Sequence, residues 1–454
     1  MNPSNPAEKV SIQSSSAYLF AISFVAAMGG LLFGFDTGVI SGAIPFVKQK
    51  FLLNAHQEGF AVSNLMIACI VGASVAGPLT DRYGRKRVLV LCALIFTLSA
   101  LFSALPRTFT ELVLARFLGG IAVGIASILS PMYIAEISPA FMRGRLVALN
   151  QLAIVCGILL AYCSNWLLVD VGADNWRWMF AVEAVPAFVF IFALLAIPES
   201  PRWLVKQGRD REGRAVLIRV NGELVARAAY QEIQETLVLE HGRYRDLGRP
   251  GLRRALLVGV VLSLFAHLTG IDVIIYYGPT IFLKAGFVNA SSALLASVII
   301  GGVNLLATFI GIAMVDRIGR RRLLLLGLSG MGLSMAGVGF TLNQQAVAPL
   351  WTLVCILLYI ASFALSMGVV IFVYLAEIYP TRLRGRAMSI AIMALWLSNV
   401  LITQVFPWMM EHLGGLTFYI LAAICAAAIF FTATMVIETR GKTLEEIEKL
   451  WTRS

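Results

Sequence analysis

The sequence predicts an all-α membrane protein with twelve transmembrane helices in two pseudo-symmetric six-helix bundles. The first observation is composition, since 13% of the 454 residues are charged and 59% are hydrophobic, whereas soluble domains carry about 25% charged residues. The second is that twelve apolar stretches reach the ~20 residues that a helix needs to cross a bilayer. Alternating segments of ~10 residues, which are typical of a membrane β-barrel, are not evident.

The third observation is a pattern that occurs twice. Residues 131–145 read PMYIAEISPAFMRGR and residues 372–386 read FVYLAEIYPTRLRGR. Glu136 and Glu377 are 241 residues apart, as are Arg143 and Arg384. A repeat of this length indicates that the chain consists of two related halves.

The apolar stretches divide the chain. They cover roughly residues 17–40, 60–80, 88–106, 111–138, 146–168, 177–197, 255–284, 293–315, 323–343, 350–376, 387–410 and 416–437. We therefore expect an N-terminal segment (1–16), a first bundle (17–197), a linker (198–254), a second bundle (255–437) and a C-terminal segment (438–454). The first sixteen residues carry no cleavable signal pattern, so we expect the first stretch to be a mature helix.

The basic residues predict an orientation. About 30 of the 36 Lys and Arg residues lie in the two terminal segments and the even-numbered loops. The residues at the other ends of the stretches are Lys48, Lys50, Arg107, Arg177 and Lys284. The positive-inside rule therefore places both termini and the linker in the cytoplasm. This distribution, despite the net charge of +11, argues against nucleic acid as a partner.

The cysteines predict neither a metal site nor disulfide bonds. All six lie within apolar stretches, without metal-ligand spacing: Cys69, Cys92, Cys156, Cys163, Cys355 and Cys425. We expect small buried side chains, and no cofactor.

The first helix, AAMGGLLFGFDTGVISG, contains a carboxylate at membrane depth. Asp36 is costly there, and such residues normally face the bundle interior and carry function. The alternative is a structural Asp that an arginine neutralises. Phe33 lies three residues earlier and shares the helical face of Asp36.

The loop after the second helix also has a counterpart in the second half. GPLTDRYGRKR (77–87) corresponds to MVDRIGRRR (314–322). Asp at a helix C-terminus is unfavourable unless it is paired. Arg85 and Arg320 follow Asp81 and Asp316 by one turn and could pair with them. The alternative is a basic anchor at the membrane surface.

These motifs, together with PESPR (198–202) and ETRGKTLEEIE (438–448), resemble the sugar porter family of the major facilitator superfamily. The resemblance covers nearly the whole chain and is greatest to bacterial sugar–proton symporters of the xylose–proton type. It implies two six-helix halves that rock around a central site. It also implies an inner charge network that latches the outward-open state. We assign to this network Asp81, Arg85, Glu136, Arg143, Asp316, Arg320, Glu377 and Arg384.

The fourth helix holds a lone arginine at lipid depth, Arg116. It requires a carboxylate partner, and Asp36 is the natural candidate. The resemblance implies the same pair, with Glu183 of the sixth helix as a third member. We predict that Asp36 loses Arg116 during rocking and then takes up a proton. The alternative is that Arg116 is a static brace.

On the fifth helix, Gln151 lies on an apolar face, and sugar porters carry a substrate-binding Gln here. The alternative is that Gln151 forms a hydrogen bond between helices. In the linker, residues 209–240 have the charge pattern of amphipathic helices. We expect short cytoplasmic helices on the inner face of the bundle. Its basic residues equally suit contact with anionic lipid.

The seventh helix, SLFAHLTGIDVIIYYGPTIF (263–282), departs from the family pattern. Ala266 and His267 replace two Gln residues, and Asp272 replaces Asn. A straight helix would turn His267 and Asp272 to different faces, so we predict that Thr269-Gly270 breaks it and brings both to the centre. The alternative for His267 is a structural role. Tyr276 and Tyr277 are predicted to form an outer gate.

The later helices supply further candidates. Asn304 matches the family, and Trp396 matches an aromatic residue near the substrate. Asn399 lies one turn after Trp396 on the same face. Met367 and Phe372 replace two Trp residues, and Leu395 replaces a Gln.

We therefore predict a proton-coupled symporter for a monosaccharide or related polyol, not an enzyme. The substrate residues would be Phe33, Gln151, His267, Asp272, Asn304, Trp396 and Asn399. Two alternatives stay open, a proton-independent uniporter and a sugar sensor without transport. Facilitative glucose transporters usually carry Asn in place of Asp36, and sensors a long cytoplasmic tail. The expected setting is the bacterial inner membrane, with the protein active as a monomer.

Overall fold

The fold is all-helical in the part of the chain that the computed structural model describes. The described residues are 6–139, 141–239, 250–344, 349–380, 383–442, 446–447 and 451. Within them, twelve helical segments are long and apolar enough to cross a membrane. This confirms the predicted fold class.

Seven helices form the first half and two form the linker. The first half contains α1 (Pro6–Phe51), α2 (Ala55–Tyr83), α3 (Arg85–Ala104), α4 (Phe109–Ile137), α5 (Arg143–Leu168), α6 (Asn175–Val182) and α7 (Ala184–Ala196). The linker contains α8 (Pro201–Lys206) and α9 (Asp210–Leu239). α6 and α7 together make the sixth span.

Eight helices form the second half. They are α10 (Pro250–Leu268), α11 (Ile271–Lys284), α12 (Ala290–Ile318), α13 (Arg320–Asn343), α14 (Pro349–Leu365), α15 (Met367–Ile378), α16 (Arg384–His412) and α17 (Leu416–Met435). α10 and α11 make the seventh span, and α14 and α15 the tenth. The chain turns between these pairs at Gly270 and Ser366, where the backbone leaves the helical region.

Glycines allow α1 and α5 to cross closely. A Cβ added at Gly34 would overlap the carbonyl oxygen of Ile154, and one at Gly157 would overlap that of Leu31. Small residues at such a crossing let two membrane helices approach to backbone contact. The contact fixes the position of Asp36, which lies on α1 between Gly34 and Gly38.

The linker helices form a small apolar core of their own. It consists of Val205, Leu217, Ala226, Tyr230 and Ile233. The Trp203 indole donates to the carbonyl of Asp81 at 2.9 Å, and the Asn221 amide donates to the carbonyl of Ile137 at 3.4 Å. The predicted helical linker is therefore present and contacts the first bundle.

Candidate functional site

The first bundle buries a carboxylate–guanidinium pair in its centre. Arg116 Nη1 on α4 lies 3.0 Å from Asp36 Oδ1 on α1, and both side chains are at most 4% exposed. Glu183, at the junction of α6 and α7, is also buried. The predicted pair is thus present, with the third acid close enough to interact electrostatically with both.

The pair leaves several polar atoms without hydrogen bonds. Asp36 Oδ2 and the Nε and Nη2 atoms of Arg116 are buried and lack a partner. The guanidinium carbon lies 5.3 Å from the ring centroid of Phe180, a cation–π contact. Unsatisfied buried polar groups cost ~1–3 kcal/mol each. One direct hydrogen bond between side chains therefore joins the pair.

The seventh span is interrupted where the sequence predicts. α10 ends at Leu268, Gly270 has φ of 104°, and α11 begins at Ile271. Only glycine adopts this left-handed conformation without strain. The hydroxyl of Tyr359 donates to the carbonyl of Thr269 at 3.1 Å, which satisfies one backbone group that the break releases.

The break brings His267 and Asp272 into direct contact. His267 Nδ1 is hydrogen-bonded to Asp272 Oδ2, and the amide nitrogen of Asn399 donates to Asp272 Oδ1 at 2.9 Å. The hydroxyl of Thr403 in turn donates to Asn399 Oδ1 at 3.1 Å. Both carboxylate oxygens therefore bond to protein, and the Asp272 side chain is 5% exposed, against 18% for His267. His267 is therefore more accessible to solvent or substrate than Asp272.

The other predicted substrate residues come from both bundles. The rings of Phe33 on α1 and Trp396 on α16 lie 5.7 Å apart across the junction of the bundles, and Trp396 Nε1 has no hydrogen-bond partner. Gln151 on α5 is half-buried, and Asn304 on α12 is buried.

The two predicted gate tyrosines are buried on α11. The hydroxyl of Tyr276 lies 3.7 Å from Met66 Sδ of the first bundle. The hydroxyl of Tyr277 donates to the carbonyl of Thr403 at 3.0 Å. Tyr276 therefore contacts the opposite bundle, whereas Tyr277 bonds within its own.

Hydrogen bonds also join the two bundles at one end of the molecule. This end carries loops 52–54, 285–289 and 413–415, and we call it the opposite end. Ser63 donates to the Gln404 side chain at 2.7 Å, and Gln404 donates to the carbonyl of His56 at 3.0 Å. Tyr162 donates to the carbonyl of Ile275 at 2.9 Å. The bundles are thus closed against each other at the opposite end.

We expect Gly59→Val to prevent this closure. A Cβ at Gly59 would overlap the carbonyl oxygen of Gln404, so the bundles must separate there. In a cysteine-free background, spin labels at Leu52 and Glu411 should move several ångströms apart. Gly77→Val on the same helix is the control, because a Cβ there meets nothing within 4 Å. Equal label distances in both variants would contradict the closure.

We call the other end the basic end; it carries Gly84, residues 138–139 and 141–142, Gly319, residues 379–380 and Leu383. In the first bundle this end holds an arginine cluster. Arg85 Nε and Nη2 donate to the two oxygens of Glu136 at 2.9 and 2.8 Å. Its Nη1 lies 3.4 Å from Asp81 Oδ1. Lys206 of α8 lies 3.0 Å from Asp81 Oδ2, which ties the linker to the cluster.

The second bundle repeats the cluster. Arg320 Nε and Nη2 donate to Glu377 at 3.2 and 2.7 Å, and Nη2 also donates to Asp316 at 2.9 Å. The predicted one-turn pairs of Asp and Arg are therefore present in both halves. Bidentate geometry of this kind is specific to arginine.

In the part of the chain that the structure describes, Arg143 and Arg384 form no ion pair with the two glutamates of the repeated motif. Arg143 Nη2 lies 3.3 Å from Glu232 of the linker helix α9. Arg384 Nε donates to the carbonyl of Tyr379 at 3.4 Å. The two glutamates of the motif bond instead to the arginines at the start of α3 and α13.

The sequence reasoning did not identify the role of Glu199. Its carboxylate accepts from the backbone N–H groups of Arg85 and Lys86, at 2.9 and 3.1 Å. These are the first residues of α3, whose N-terminus favours negative charge. Ser200 donates to Glu136 at 2.5 Å. Glu199 therefore caps α3 from a distant part of the chain.

Glu438 has the same role in the second half. It accepts from the backbone N–H groups of Arg320 and Arg321 at 2.9 and 3.1 Å, and Thr439 donates to Glu377 at 2.6 Å. Burial opposes ionisation of Glu438, but these N–H groups, with those of Thr439 and Arg440, hold the pKa of its carboxyl below its usual value. The cap is therefore charged at neutral pH and is lost only as pH falls through this lowered pKa.

The signal for both caps was present in the sequence. Glu199-Ser200 and Glu438-Thr439 are two acid–hydroxyl pairs 239 residues apart. Each pair follows the last span of its half, so it belongs to the same internal repeat as the other motifs.

Comparison with known proteins agrees with this architecture. Residues 22–451 match the family described as Sugar (and other) transporter. The arabinose-proton symporter of Bacillus subtilis (strain 168) is 38% identical over 98% of both chains. The D-xylose-proton symporter of Escherichia coli (strain K12) is 38% identical over 97% of both chains.

A solved structure is also similar. It is the partially occluded inward-open conformation of the xylose transporter XylE from E. coli, with 37% identity and a TM-score of 0.85, covering 94% of this chain and 100% of that one. With twelve spans, two related bundles and a family match over nearly its whole length, the chain belongs to the Sugar (and other) transporter family, the sugar porters of the major facilitator superfamily.

Proposed function

We propose that this protein carries a monosaccharide or related polyol into the cell together with a proton, by alternating access. The observation that carries the proposal is the buried Asp36–Arg116 pair, held by one hydrogen bond of 3.0 Å. Two relatives with 38% identity are sugar–proton symporters. No catalytic function is proposed.

The coupling step follows from the electrostatics of the pair. While Arg116 faces Asp36, the guanidinium stabilises the carboxylate in a medium that otherwise penalises charge. When the bundles rock and the arginine withdraws, the carboxylate keeps its anionic form only at high cost, and it takes up a proton. Glu183, a second buried acid beside the pair, would compete for the same arginine and assist the exchange.

The substrate would lie between the bundles near the middle of the membrane, where transporters of this architecture place their sites. Phe33 and Trp396 offer ring faces that contact each other across the junction. Gln151, Asn304 and His267 offer hydrogen-bonding groups to hydroxyls. Asp272 and Asn399 complete the proposed set by holding His267 in place.

The conformation would be inward-facing. The opposite end is joined by bonds between Ser63, Gln404 and His56, and Tyr276 contacts the other bundle as an outer gate. The arginine clusters bond within each bundle. In the outward-open state we expect both clusters, with Arg143 and Arg384, to bond across the bundles and latch the basic end.

The positive-inside rule assigns the basic end, both termini and the linker to the cytoplasm. We propose the inner membrane of a bacterium as the location, a monomer as the working unit, and the domain boundaries given above (1–16, 17–197, 198–254, 255–437 and 438–454).

The test is sugar accumulation by proteoliposomes with an alkaline interior. D-xylose, L-arabinose, D-galactose, D-glucose, myo-inositol and D-glucosamine are supplied outside. Coupling to one proton allows accumulation of about tenfold per pH unit, and a protonophore should abolish it. Equilibration of every transported compound without accumulation would establish the uniporter alternative, and absence of all uptake would overturn the proposal.

A further inference from the structure

The His267–Asp272 pair is a second buried acid–base pair, in the bundle that does not contain Asp36. It exists because the Gly270 break places residues of two helices side by side. Asp272 lies in the first turn of α11, where the helix dipole stabilises an anion. An ionised Asp272 only accepts hydrogen bonds, and in that state His267 Nδ1 is the donor of the bond between them. Nε2 is then the ring nitrogen left for another partner.

The surroundings leave His267 as the group that can balance the charge of Asp272. In the part of the chain that the structure describes, Asp272 has no lysine or arginine within ion-pair distance. The titratable groups that face the pair from its own and the packed helices are phenols and thiols, which are neutral near pH 7. They are Tyr276 of α11, Tyr359 of α14, Cys425 of α17 and, beyond Tyr276, Cys69 of α2.

Among the residues that the structure describes, the other packed helices place no charged group within ion-pair distance of Asp272. On α1, which packs against α11, Asp36 is paired with Arg116, and Lys48 and Lys50 are paired with Glu58 and Asp174. On α12 the ionisable side chains are Asp316 and Arg317, at the basic end. On α16 the neighbour is the neutral amide of Asn399, and Tyr379, which follows α15, approaches α10 at Gly259. With a neutral imidazole the pair carries one negative charge, and with one added proton on the imidazole it is neutral overall.

We propose that the His267–Asp272 pair is a second proton-binding site, which takes up a proton as the sugar binds. The protonated imidazole donates from Nε2 to an oxygen of the sugar, while Asp272 accepts from Nδ1. Hydrogen bonds from a charged donor are about twice as strong as neutral ones. Sugar therefore binds more tightly to the protonated pair and, by linkage, favours its protonation.

This proposal rests on the proposed transport of sugar, and it adds a proton site that contacts the substrate directly. Asp36 and Arg116 respond to the movement of the first bundle, whereas His267 responds to occupancy of the site. The partly buried His267, which is more accessible than the buried Asp272, suits this division.

The test measures protons taken up per sugar bound, by titration calorimetry in phosphate and in Tris buffers at pH 7. D-xylose, L-arabinose, D-galactose and D-glucosamine are the probes. The background is Asp36→Asn, so that uptake at Asp36 does not contribute. We expect measurable uptake and up to tenfold tighter binding per pH unit as the pH falls.

Two further variants separate a proton site from a structural brace. His267→Gln in the same background keeps a polar side chain, and should retain binding with less than twofold pH dependence and no proton uptake. Asp272→Asn keeps an oxygen for Asn399 to donate to, but removes the anion, and should strongly reduce uptake. Melting curves establish that each variant is folded.

Proton uptake that persists in His267→Gln, or pH-independent binding to Asp36→Asn, would overturn the second proton site alone. Absence of binding by all four sugars would overturn it as well. If the proteoliposomes also took up none of the compounds, the proposed function would be overturned together with the second proton site.

Discussion

Asp36→Asn is expected to abolish accumulation of sugar driven by a pH gradient, while exchange of labelled for unlabelled sugar continues. Asn has nearly the same shape and can still accept the hydrogen bond from Arg116, now 3.0 Å from Asp36 Oδ1. It cannot take up a proton. The bundles can then still rock, but the movement is no longer linked to proton transfer. Parallel accumulation and counterflow assays in proteoliposomes measure the two activities.

Glu58→Gln is the matched control. Glu58 is also a buried acid with a cationic partner, 2.6 Å from the ammonium of Lys48, but it lies on α2 near the opposite end. Its neutralisation should leave accumulation driven by the pH gradient largely intact. Undiminished accumulation by Asp36→Asn, or equal loss in both variants, would show that Asp36 has no special part in coupling.

The sequence was informative about features that depend on neighbouring residues. Each apolar stretch is helical, as one helix or as two consecutive helices, because ~20 apolar residues in lipid satisfy their backbone only by helical bonding. The break at Thr269-Gly270 was also predictable, since glycine adopts the required φ of 104°. The repeat predicted matching clusters around Arg85 and Arg320, which the structure contains.

Features that depend on packing between distant segments were not predictable in the same way. The apolar pattern predicts that the third stretch begins near residue 88, whereas α3 begins at Arg85. The helix extends because Glu199, 114 residues away, accepts from its first N–H groups. Likewise Gln404 on α16 forms a hydrogen bond across the bundles with Ser63. This role depends on how the two halves pack, and the local sequence does not indicate it.

The assignment of Asp272 changed most between sequence and structure. From the sequence it was a substrate ligand, because it replaces an Asn of the family pattern. In the structure both of its oxygens bond to protein, through His267 and Asn399. In the proposed mechanism Asp272 acts on the substrate through His267, a relation that periodicity alone cannot reveal.

Arg116→Gln should destabilise the protein strongly, because it leaves Asp36 and Glu183 buried without a counter-charge. Removing one partner of a buried ion pair costs ~3–5 kcal/mol. We expect the melting temperature to fall by on the order of 10 °C, and accumulation driven by a pH gradient to be lost. Thermal unfolding in detergent and the proteoliposome assay measure the two effects.

The double variant Arg116→Gln with Asp36→Asn separates stability from coupling. It removes both charges of the pair, and two amides can bond to each other where the ions did. Its melting temperature should return most of the way to that of the unmodified protein, while accumulation remains absent. If Asp36 and Arg116 formed only a structural pair, a neutral pair of amides that restores stability would restore accumulation as well. Recovery of accumulation would therefore contradict coupling through Asp36. If the pair couples transport to a proton, we expect the double variant to be stable and to exchange sugar without accumulating it.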